Sequence, residues 1–214
     1  MKISILCSSE KHPINPMLSA WAARHAEQHD VVLVRAVGDL PGGDILFLIS
    51  CTEIVSEGHR NLYRKTLVIH ASDLPEGRGW SPHIWQILAG RSTIKVTLLE
   101  AVAQVDAGDI WHQIDCEIPR TALWDDINKS LFNAELELMD FAVAHFHTCQ
   151  PRQQDPTTVP TYHSRRTPAD SEIDPVSSIE AQFDALRVAD PERFPAFFHL
   201  RGATYRIRLE RIEP

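Results

Sequence analysis

The chain contains few cysteines, and their spacing argues against a disulfide framework. The four, Cys7, Cys51, Cys116 and Cys149, are scattered over 214 residues without a CxxC pair. Cys7 and Cys51 lie in apolar runs, where a free thiol behaves as a small hydrophobic side chain. This use of cysteine is typical of a protein in a reducing compartment.

Long apolar runs are also missing. No run approaches the length of a membrane span, and the apolar segment Met1–Cys7 is shorter than the core of a signal peptide. We interpret that segment as a buried strand. The sequence therefore predicts a soluble, cytoplasmic protein.

Positive charge is scarce as well. Lys and Arg total 21 against 29 for Asp and Glu, which gives a net charge of -8, and Arg165–Arg166 is the one basic pair that stands out. This balance argues against a polyanionic partner such as a nucleic acid. The sequence also has no GxGxxG motif, so the dinucleotide-binding fingerprint is absent.

Apolar runs alternate with helical patterns through the first half of the chain. The predicted strands are Lys2–Cys7, Val31–Ala36, Asp44–Ser50 and Leu67–His70, and Pro16–His29 is a predicted helix. Near-continuous apolar strands are typical of parallel sheets that are covered on both faces. We therefore predict an α/β fold with a doubly wound, mostly parallel sheet and ligands at the carboxyl ends of its strands.

The second half adds a helix after Pro82, two extended segments and a small accessory unit. The extended segments are Lys95–Val105 and Ile110–Ile118, and a long helical pattern follows at Thr121–His147. Residues 150–171 are rich in Pro, Thr and Gln and are predicted to be a linker. Ser177 and Glu180 match a capping box that would open a helix, and residues 194–212 indicate a hairpin that turns at Arg201–Gly202. We therefore expect a catalytic domain at 1–149, then a linker and a small helix-plus-hairpin extension at 150–214.

The most informative stretch begins at Val68 and ends at Ile110. It places His70 at the end of an apolar strand and Asp106 at the end of a later one, separated by a Gly- and Pro-marked loop. A His and an Asp so placed suit acid–base or electrostatic chemistry on a carbonyl group. The alternative for His70 is a strand-end histidine that only hydrogen-bonds a loop. The alternative for Asp106 is an aspartate that forms a turn before Ala-Gly, and for Asp109 we expect such a turn-forming role.

The motifs HxSxLPxxRG, PxxWxI, VTL and VDAGDI in this stretch resemble the folate-dependent formyltransferase family. The resemblance implies an enzyme that moves the formyl group of N10-formyltetrahydrofolate to an amine. It also implies that His70 stabilises the tetrahedral intermediate, while Asp106 orients the imidazole, favours its protonated form or carries a proton away.

Two further blocks are most similar to bacterial amino-sugar N-formyltransferases. They are GRGWSPHIWQIL and the tail FPAFFHLRGATYRI, and the similar enzymes belong to pseudaminic acid and related nonulosonic acid pathways that serve cell-surface polysaccharide synthesis. The resemblance spans most of residues 1–113 and resumes at Pro160. It implies formylation of an amino sugar, either nucleotide-linked or a nonulosonic acid precursor, by an enzyme that is often a homodimer.

The chain departs from the family pattern at Val68. The family has Asn-x-His there, and its Asn donates to the formyl oxygen, which valine cannot do. Losing one such donor typically costs on the order of a hundred- to thousand-fold in rate. Three explanations are open. Another donor, such as Ser72, Ser81 or His83, replaces the asparagine; or His70 and Asp106 catalyse the reaction alone; or the chain binds its ligands without turnover.

The resemblance also implies binding residues. The cofactor-binding candidates, in segments whose backbone would hold the pterin ring, are Cys51, Thr52, Glu53, Val102 and Val105. The substrate-binding candidates are Lys11, His12, Asn15, Arg78, Trp80, Tyr162, Arg165 and Arg166. For Lys11, His12 and Asn15 a plain surface turn is at least as good an explanation, and for the arginine pair a solvated linker is the alternative.

No metal site is predicted. His145 and His147 lie two residues apart on a predicted helix, so they point to different faces and cannot converge on one ion with Cys149.

Other acceptors and a non-catalytic role are the alternatives. Methionyl-tRNA is disfavoured by the acidic balance and by the short segment after the catalytic region. Phosphoribosylglycinamide is disfavoured because SSEKHPINP is not a Gly/Ser-rich phosphate loop. Hydrolysis of the formyl donor stays open, and Val68 is the best support for a non-catalytic binder of folate or nucleotide sugar.

Overall fold

The central element is a six-stranded sheet. The computed structural model describes residues 1–212. The chain forms, in order, β1 (Lys2–Leu6), β2 (Asp30–Val34), β3 (Gly43–Leu48), β4 (Tyr63–His70), the short β5 (Arg78–Gly79), β6 (Thr93–Glu100) and β7 (Ile110–Glu117). All of these except β5 belong to the sheet, in the order β2-β1-β3-β4-β6-β7.

The first four strands run parallel, which confirms the predicted α/β class with a mostly parallel sheet. β6 is antiparallel to β4, and β7 is antiparallel to β6. Successive side chains of a strand point to opposite faces, so Ile5 and Phe47 lie in the larger core while Leu6 and Leu46 lie in a smaller one. Burial on both faces explains why these strands are apolar throughout.

The helices cover the sheet. They are α1 (Asn15–His25), α2 (Glu57–Arg60), α3 (Pro82–Leu88), α4 (Trp124–Ala144) and α5 (Phe183–Arg187). The longest, α4, packs against β7 and β6, and it is tied to α1 by a 2.6 Å hydrogen bond that the Trp21 indole donates to Asp140. No helix among residues 1–212 is long and apolar enough to cross a membrane.

The segment after α4 forms a small unit beside the sheet. It contains β8 (Tyr162–His163), α5, and the antiparallel pair β9 (Ala196–Leu200) and β10 (Ala203–Ile207). The predicted hairpin and its turn at Arg201–Gly202 are confirmed, and both turn residues have positive φ. Ile173, Leu186, Ala189 and Ala196 form its own apolar cluster. The domain boundary at residue 149 stays a prediction.

The predicted capping box at Ser177 and Glu180 is wrong. The Ser177 hydroxyl donates to Asp174 Oδ2 over 2.7 Å, whereas Ser178 Oγ accepts the backbone N–H of Ala181 over 3.1 Å. The segment begins as a 3-10 turn at Glu180–Gln182 and becomes α-helical only in α5.

Most strand boundaries differ from the prediction by one or two residues, α1 ends four residues earlier than predicted, and two strand boundaries differ by more than two residues. β4 begins four residues before Leu67, because Tyr63 and Lys65 pair with β3 although Arg64 and Lys65 are charged. β6 ends at Glu100, and the residues up to Val105 form a turn rather than a continuation of the strand.

Candidate active site

A cavity of about 600 Å³ lies at the carboxyl ends of the parallel strands. Ser9, which follows β1, Ser50, which follows β3, and His70, which ends β4, all line it. Open α/β sheets bind ligands at this edge, where the loops that follow the strands diverge. The cavity is therefore in the position that the sequence predicts for a ligand site.

His70 and Asp106 meet in the wall of this cavity. His70 Nδ1 lies 3.6 Å from Asp106 Oδ1, and the two side chains are only 8% and 7% exposed. The other ring nitrogen, Nε2, lies 2.8 Å from the carbonyl oxygen of Gly77. A carbonyl only accepts, so Nε2 carries a hydrogen and Nδ1 is the nitrogen left to exchange a proton. The structure thus brings together the two residues predicted to be catalytic.

Asp106 is fixed by the elements around it. Its Oδ2 accepts the backbone N–H of Gly79 over 3.0 Å, and its backbone has a positive φ of 55°. Gln154 holds this turn, since its side-chain amide donates to the carbonyl oxygens of Asp106 at 2.8 Å and of Gly108 at 3.0 Å. The carboxylate is therefore aimed at His70 by a strained turn that a distant segment supports.

The pairing of β5 with β8 brings that distant segment to the site. Arg78 pairs with Tyr162 and Gly79 with His163. A Cβ on Gly79 would lie 2.4 Å from the carbonyl oxygen of His163, so only glycine permits this approach. The Trp85 indole adds a hydrogen bond to the carbonyl oxygen of Ser164 over 3.2 Å.

Four of the predicted substrate-binding residues do not line the cavity, and three of them have other partners. Arg78 is buried and donates to Gln154 Oε1 over 2.6 Å and to the Tyr162 hydroxyl over 3.3 Å. Asn15 donates to loop carbonyls and accepts from Arg35, which fixes the turn after β1. Lys11 is exposed on that turn. In this structure Arg78, Tyr162 and Asn15 support loops of the site.

The predicted cofactor-binding residues all line the cavity, on two loops that we call the rim end. Cys51, Thr52 and Glu53 lie on the loop after β3, and Val102 and Val105 lie on the loop after β6. Apolar side chains there are unusually exposed: Ile54 is 81%, Val105 55% and Val102 43% accessible. Clustered exposed apolar groups around a cavity are typical of a ligand-binding surface.

The remaining predicted substrate-binding residues also line the cavity, and we call the part of its wall that they form the arginine side. They are His12, Trp80, Arg165 and Arg166. The Arg165 guanidinium lies 4.8 Å from the centre of the Trp80 ring, which fixes both side chains beside the opening. Arg166 is buried, and its Nε has no hydrogen-bond partner within residues 1–212.

Two histidines of this region are neutral over the physiological range. Burial lowers the pKa of His83 to about 4, and the nearby guanidinium of Arg166 contributes. Burial and then Arg193 lower the pKa of His12 to about 4. Each neutral ring offers one N–H donor and one acceptor nitrogen to a ligand.

Val68 lies on the same strand face as His70. It precedes His70 by two residues in β4, so its side chain points to the same face of the sheet, and both residues line the cavity. Ser72 is buried outside the cavity, whereas Ser81 and His83 line it.

Sequence reasoning missed Gln154 and Glu135. Gln154 lies in the segment interpreted as a linker, and no local pattern marks its contact with Asp106. Glu135 lies in α4, where an acidic residue is ordinarily solvent-facing, yet it is 9% exposed and lines the cavity. Only the packing of the folded chain identifies either residue.

The sequence matches a known family over most of this region. The model of the family described as "Formyl transferase" matches residues 2–143. A curated relative from a Geobacillus strain, named methionyl-tRNA formyltransferase, is 30% identical over 132 residues, which are 61% of this chain and 39% of the relative. The chain thus spans about two fifths of the length of that relative.

Solved structures of similar fold carry two kinds of name. A methionyl-tRNA formyltransferase from Clostridium thermocellum aligns over 97% of both chains with a TM-score of 0.77 and 21% identity. A sugar N-formyltransferase from a Shewanella species aligns over 100% of this chain and 99% of its own, with a TM-score of 0.72 and 17% identity. At these identities the likeness concerns the fold alone.

Proposed function

The chain belongs to the formyl transferase family, and from that premise we propose that it is an enzyme that transfers a formyl group from N10-formyltetrahydrofolate to the amine of an amino sugar. The observation that carries the proposal is the His70–Asp106 pair, 3.6 Å apart with both side chains buried, in the wall of a large cavity. The family match at residues 2–143 includes both residues.

The formyl donor fits the rim end of the cavity. The exposed apolar side chains of Ile54, Val102 and Val105 offer an apolar surface to a flat ring system, and the surrounding segments offer backbone groups. A cavity of about 600 Å³ is also within the usual size range for a cofactor or drug-sized ligand. When bound, the donor supplies a formyl carbon that an amine can attack.

His70 and Asp106 handle charge and proton during transfer. As the acceptor nitrogen bonds to the formyl carbon, it becomes cationic, and His70 Nδ1 or Asp106 takes up its proton. The bond from that carbon to N10 of the folate then breaks, and N10 receives the proton. Asp106 stabilises the protonated imidazole across 3.6 Å in a site with little water.

We assign the hydrogen-bond donor to the formyl oxygen to His83, because Val68 cannot donate and the Nε2–H of His70 is committed to Gly77. His83 lines the cavity, and its helix α3 is held against the residue after His70, where Gln86 donates to the carbonyl oxygen of Ala71 over 2.7 Å. A neutral imidazole N–H is a competent donor to a developing oxyanion.

The acceptor fits the arginine side. Trp80 offers a face to a sugar ring, and Arg165 and the unpartnered Nε of Arg166 offer donors to a phosphate or carboxylate. These groups suit an amino sugar that carries an anion, either as a nucleotide or as a nonulosonic acid precursor of the pseudaminic acid type. The same donors would hold either source of negative charge.

Methionyl-tRNA is the second candidate acceptor, because the curated relative bears that name. The net charge of -8 argues against it. Length does not separate the two, since a structure named methionyl-tRNA formyltransferase aligns with this chain over 97% of each. The acceptor has to be identified by assay.

The test is turnover with defined acceptors. The purified protein is incubated with N10-formyltetrahydrofolate and a panel of amino-sugar nucleotides, CMP-linked nonulosonic acids and methionyl-tRNA. Tetrahydrofolate release and the mass gain of one formyl group are followed together. We expect one class of amino sugar to be formylated.

Two variants complete the test. His70→Asn should abolish transfer, whereas His147→Asn, at an exposed histidine outside the cavity, should leave it unchanged. Folate release without a formylated product would instead establish hydrolysis. Folate binding without any turnover would establish a non-catalytic binder and contradict the proposal.

A further inference from the structure

Glu135 is the one acidic residue of α4 in the cavity wall, and nothing in the fold accounts for its burial. The residue is 9% exposed, and its Oε2 atom has no hydrogen-bond partner within residues 1–212. Leaving a buried polar group unpaired ordinarily costs about 1–3 kcal/mol of stability. A side chain of the same size without charge would serve the fold better, so the carboxyl group calls for a ligand.

The residues one turn before Glu135 on α4 are apolar. Leu131 and Phe132 lie on the same face of the helix as Glu135, and both line the cavity. Val188, from the segment after α5, lines the cavity as well, and the ring centre of His12 lies 5.7 Å from that of Phe132. Polar groups of the same wall are Asn128, two turns before Glu135, and Asp190 and Arg193. Glu135 thus follows an apolar stretch of the cavity wall.

The charge state of this carboxyl group follows from its surroundings. Burial raises the pKa of Glu135 to about 8. Two thiols face it, Cys7 just after β1 and Cys116 in β7. Burial raises the pKa of both thiols, and that of Cys116 is about 11. At neutral pH the group is therefore an uncharged acid, which both donates and accepts one hydrogen bond.

Resting on the proposed function, we propose that Glu135, with Leu131, Phe132 and Val188, forms a subsite that determines acceptor specificity. It takes an apolar, deoxygenated part of the amino sugar together with one neutral hydrogen-bonding group, a hydroxyl or an acylated amine. An ammonium group at this position is disfavoured, since the carboxyl group would first have to ionise in apolar surroundings. The reacting amine lies elsewhere, beside His70.

Binding calorimetry tests this subsite without requiring turnover. The probe is a nucleotide-linked amino-dideoxyhexose, which is titrated into wild type, Glu135→Gln and Glu135→Leu. As a control, each of the three proteins is also titrated with a stable formyltetrahydrofolate. We expect Glu135→Leu to weaken probe binding about tenfold or more, which is the loss of one buried hydrogen bond. Glu135→Gln keeps the neutral donor and acceptor and should bind within about threefold of wild type at pH 7, and folate binding should be unchanged in both.

The pH dependence provides a second readout. The wild-type Kd for the probe should rise as the pH passes 8, while that of Glu135→Gln should not. His12 titrates far below this range, and burial raises the thiol pKa values. Arg166, Asp190 and Arg193, which also line the cavity, are retained in both proteins.

Several results would overturn the subsite. One is a Kd for Glu135→Leu equal to that of wild type, and another is the same pH dependence of the Kd for wild type and Glu135→Gln. A third is an equal loss of probe affinity in both variants at pH 7, which would indicate a charged partner for the carboxyl group. Failure of wild type to bind the probe would overturn it too. Wild type that binds probe and folate but transfers no formyl group would refute the proposed function and leave the subsite standing.

Discussion

The ring of His70 is held by contacts at two different atoms. Nε2 is committed to the carbonyl oxygen of Gly77, and Nδ1 faces Asp106. The ring is therefore oriented before any ligand binds, which removes a reorganisation cost from the reaction. Because its Nε2–H is already used, a donor to the formyl oxygen has to come from another residue.

The variant His83→Ala tests whether His83 is the donor to the formyl oxygen. Losing one oxyanion donor lowers kcat by on the order of a hundred- to thousand-fold, with a smaller effect on the KM for either substrate. Adding Val68→Asn to this variant restores a donor of the family type and should recover about tenfold or more. Steady-state kcat of the three proteins gives the answer. A kcat for His83→Ala within about twofold of wild type would place the donor elsewhere.

The elements around the site differ in how far the sequence predicts them. β1, β3 and the end of β4 follow from local apolar runs, and so His70 at a strand end was predictable. β8 was not, because a two-residue strand has no pattern of its own and forms only where Gly79 admits the backbone of His163. The same holds for Glu135, since periodicity shows that α4 is amphipathic but does not show which acidic residue is buried.

Gln154→Ala tests the link between the segment at β8 and the catalytic turn. The change removes three hydrogen bonds, two to the carbonyl oxygens of Asp106 and Gly108 and one from Arg78. We expect kcat to fall about tenfold or more and stability to fall by about 1–3 kcal/mol. The matched control is the exposed neighbour Gln153→Ala. If both variants keep wild-type kcat, Gln154 does not position Asp106.

Glu135→Gln should stabilise the protein in a pH-dependent way. The pKa of Glu135 is raised from 4.5 to about 8 on folding, so between these values the unfolded chain ionises and the folded one does not. Wild-type stability therefore decreases with rising pH across this window, by at most about 1.4 kcal/mol per pKa unit, while that of Glu135→Gln lacks this decrease. Melting temperatures at pH 5 and pH 8 measure the difference.

The control for this comparison is Glu137→Gln, at an exposed position of the same helix. This variant also replaces a carboxyl group by an amide, but at a side chain that is not buried. Its melting temperature should therefore follow that of wild type at both pH values. An identical pH trend for Glu135→Gln and Glu137→Gln would show that Glu135 ionises normally in the folded protein.

At the scale of the whole molecule, acidic side chains outnumber basic ones. The chain carries a net charge of -8, and in the cavity wall Arg60, Arg165, Arg166 and Arg193 stand against the carboxylates of Glu53, Glu100, Asp106 and Asp190. A net negative surface repels a long polyanion, whereas a few arginines can still hold one anionic group of a small ligand. The charge balance therefore argues against a nucleic acid as the acceptor.

Salt dependence measures this preference. A nucleotide sugar held by one or two cationic side chains should lose less than about tenfold in affinity between 50 and 200 mM salt, because few phosphate charges are neutralised. A tRNA held by many phosphate contacts would lose on the order of a thousand-fold or more. Titration of the acceptor KM with sodium chloride distinguishes them, and a steep slope would contradict a small acceptor.

Formyl transfer is tested most directly with an isotopically labelled formyl group in a single turnover. Wild type, His70→Asn and Asp106→Asn are each mixed with labelled N10-formyltetrahydrofolate and the acceptor panel, and the label is located by mass spectrometry. We expect labelled amide on an amino sugar with wild type, and a loss of on the order of a hundred-fold or more in both variants. Equal labelling by all three proteins, or label that appears only in formate, would contradict this expectation.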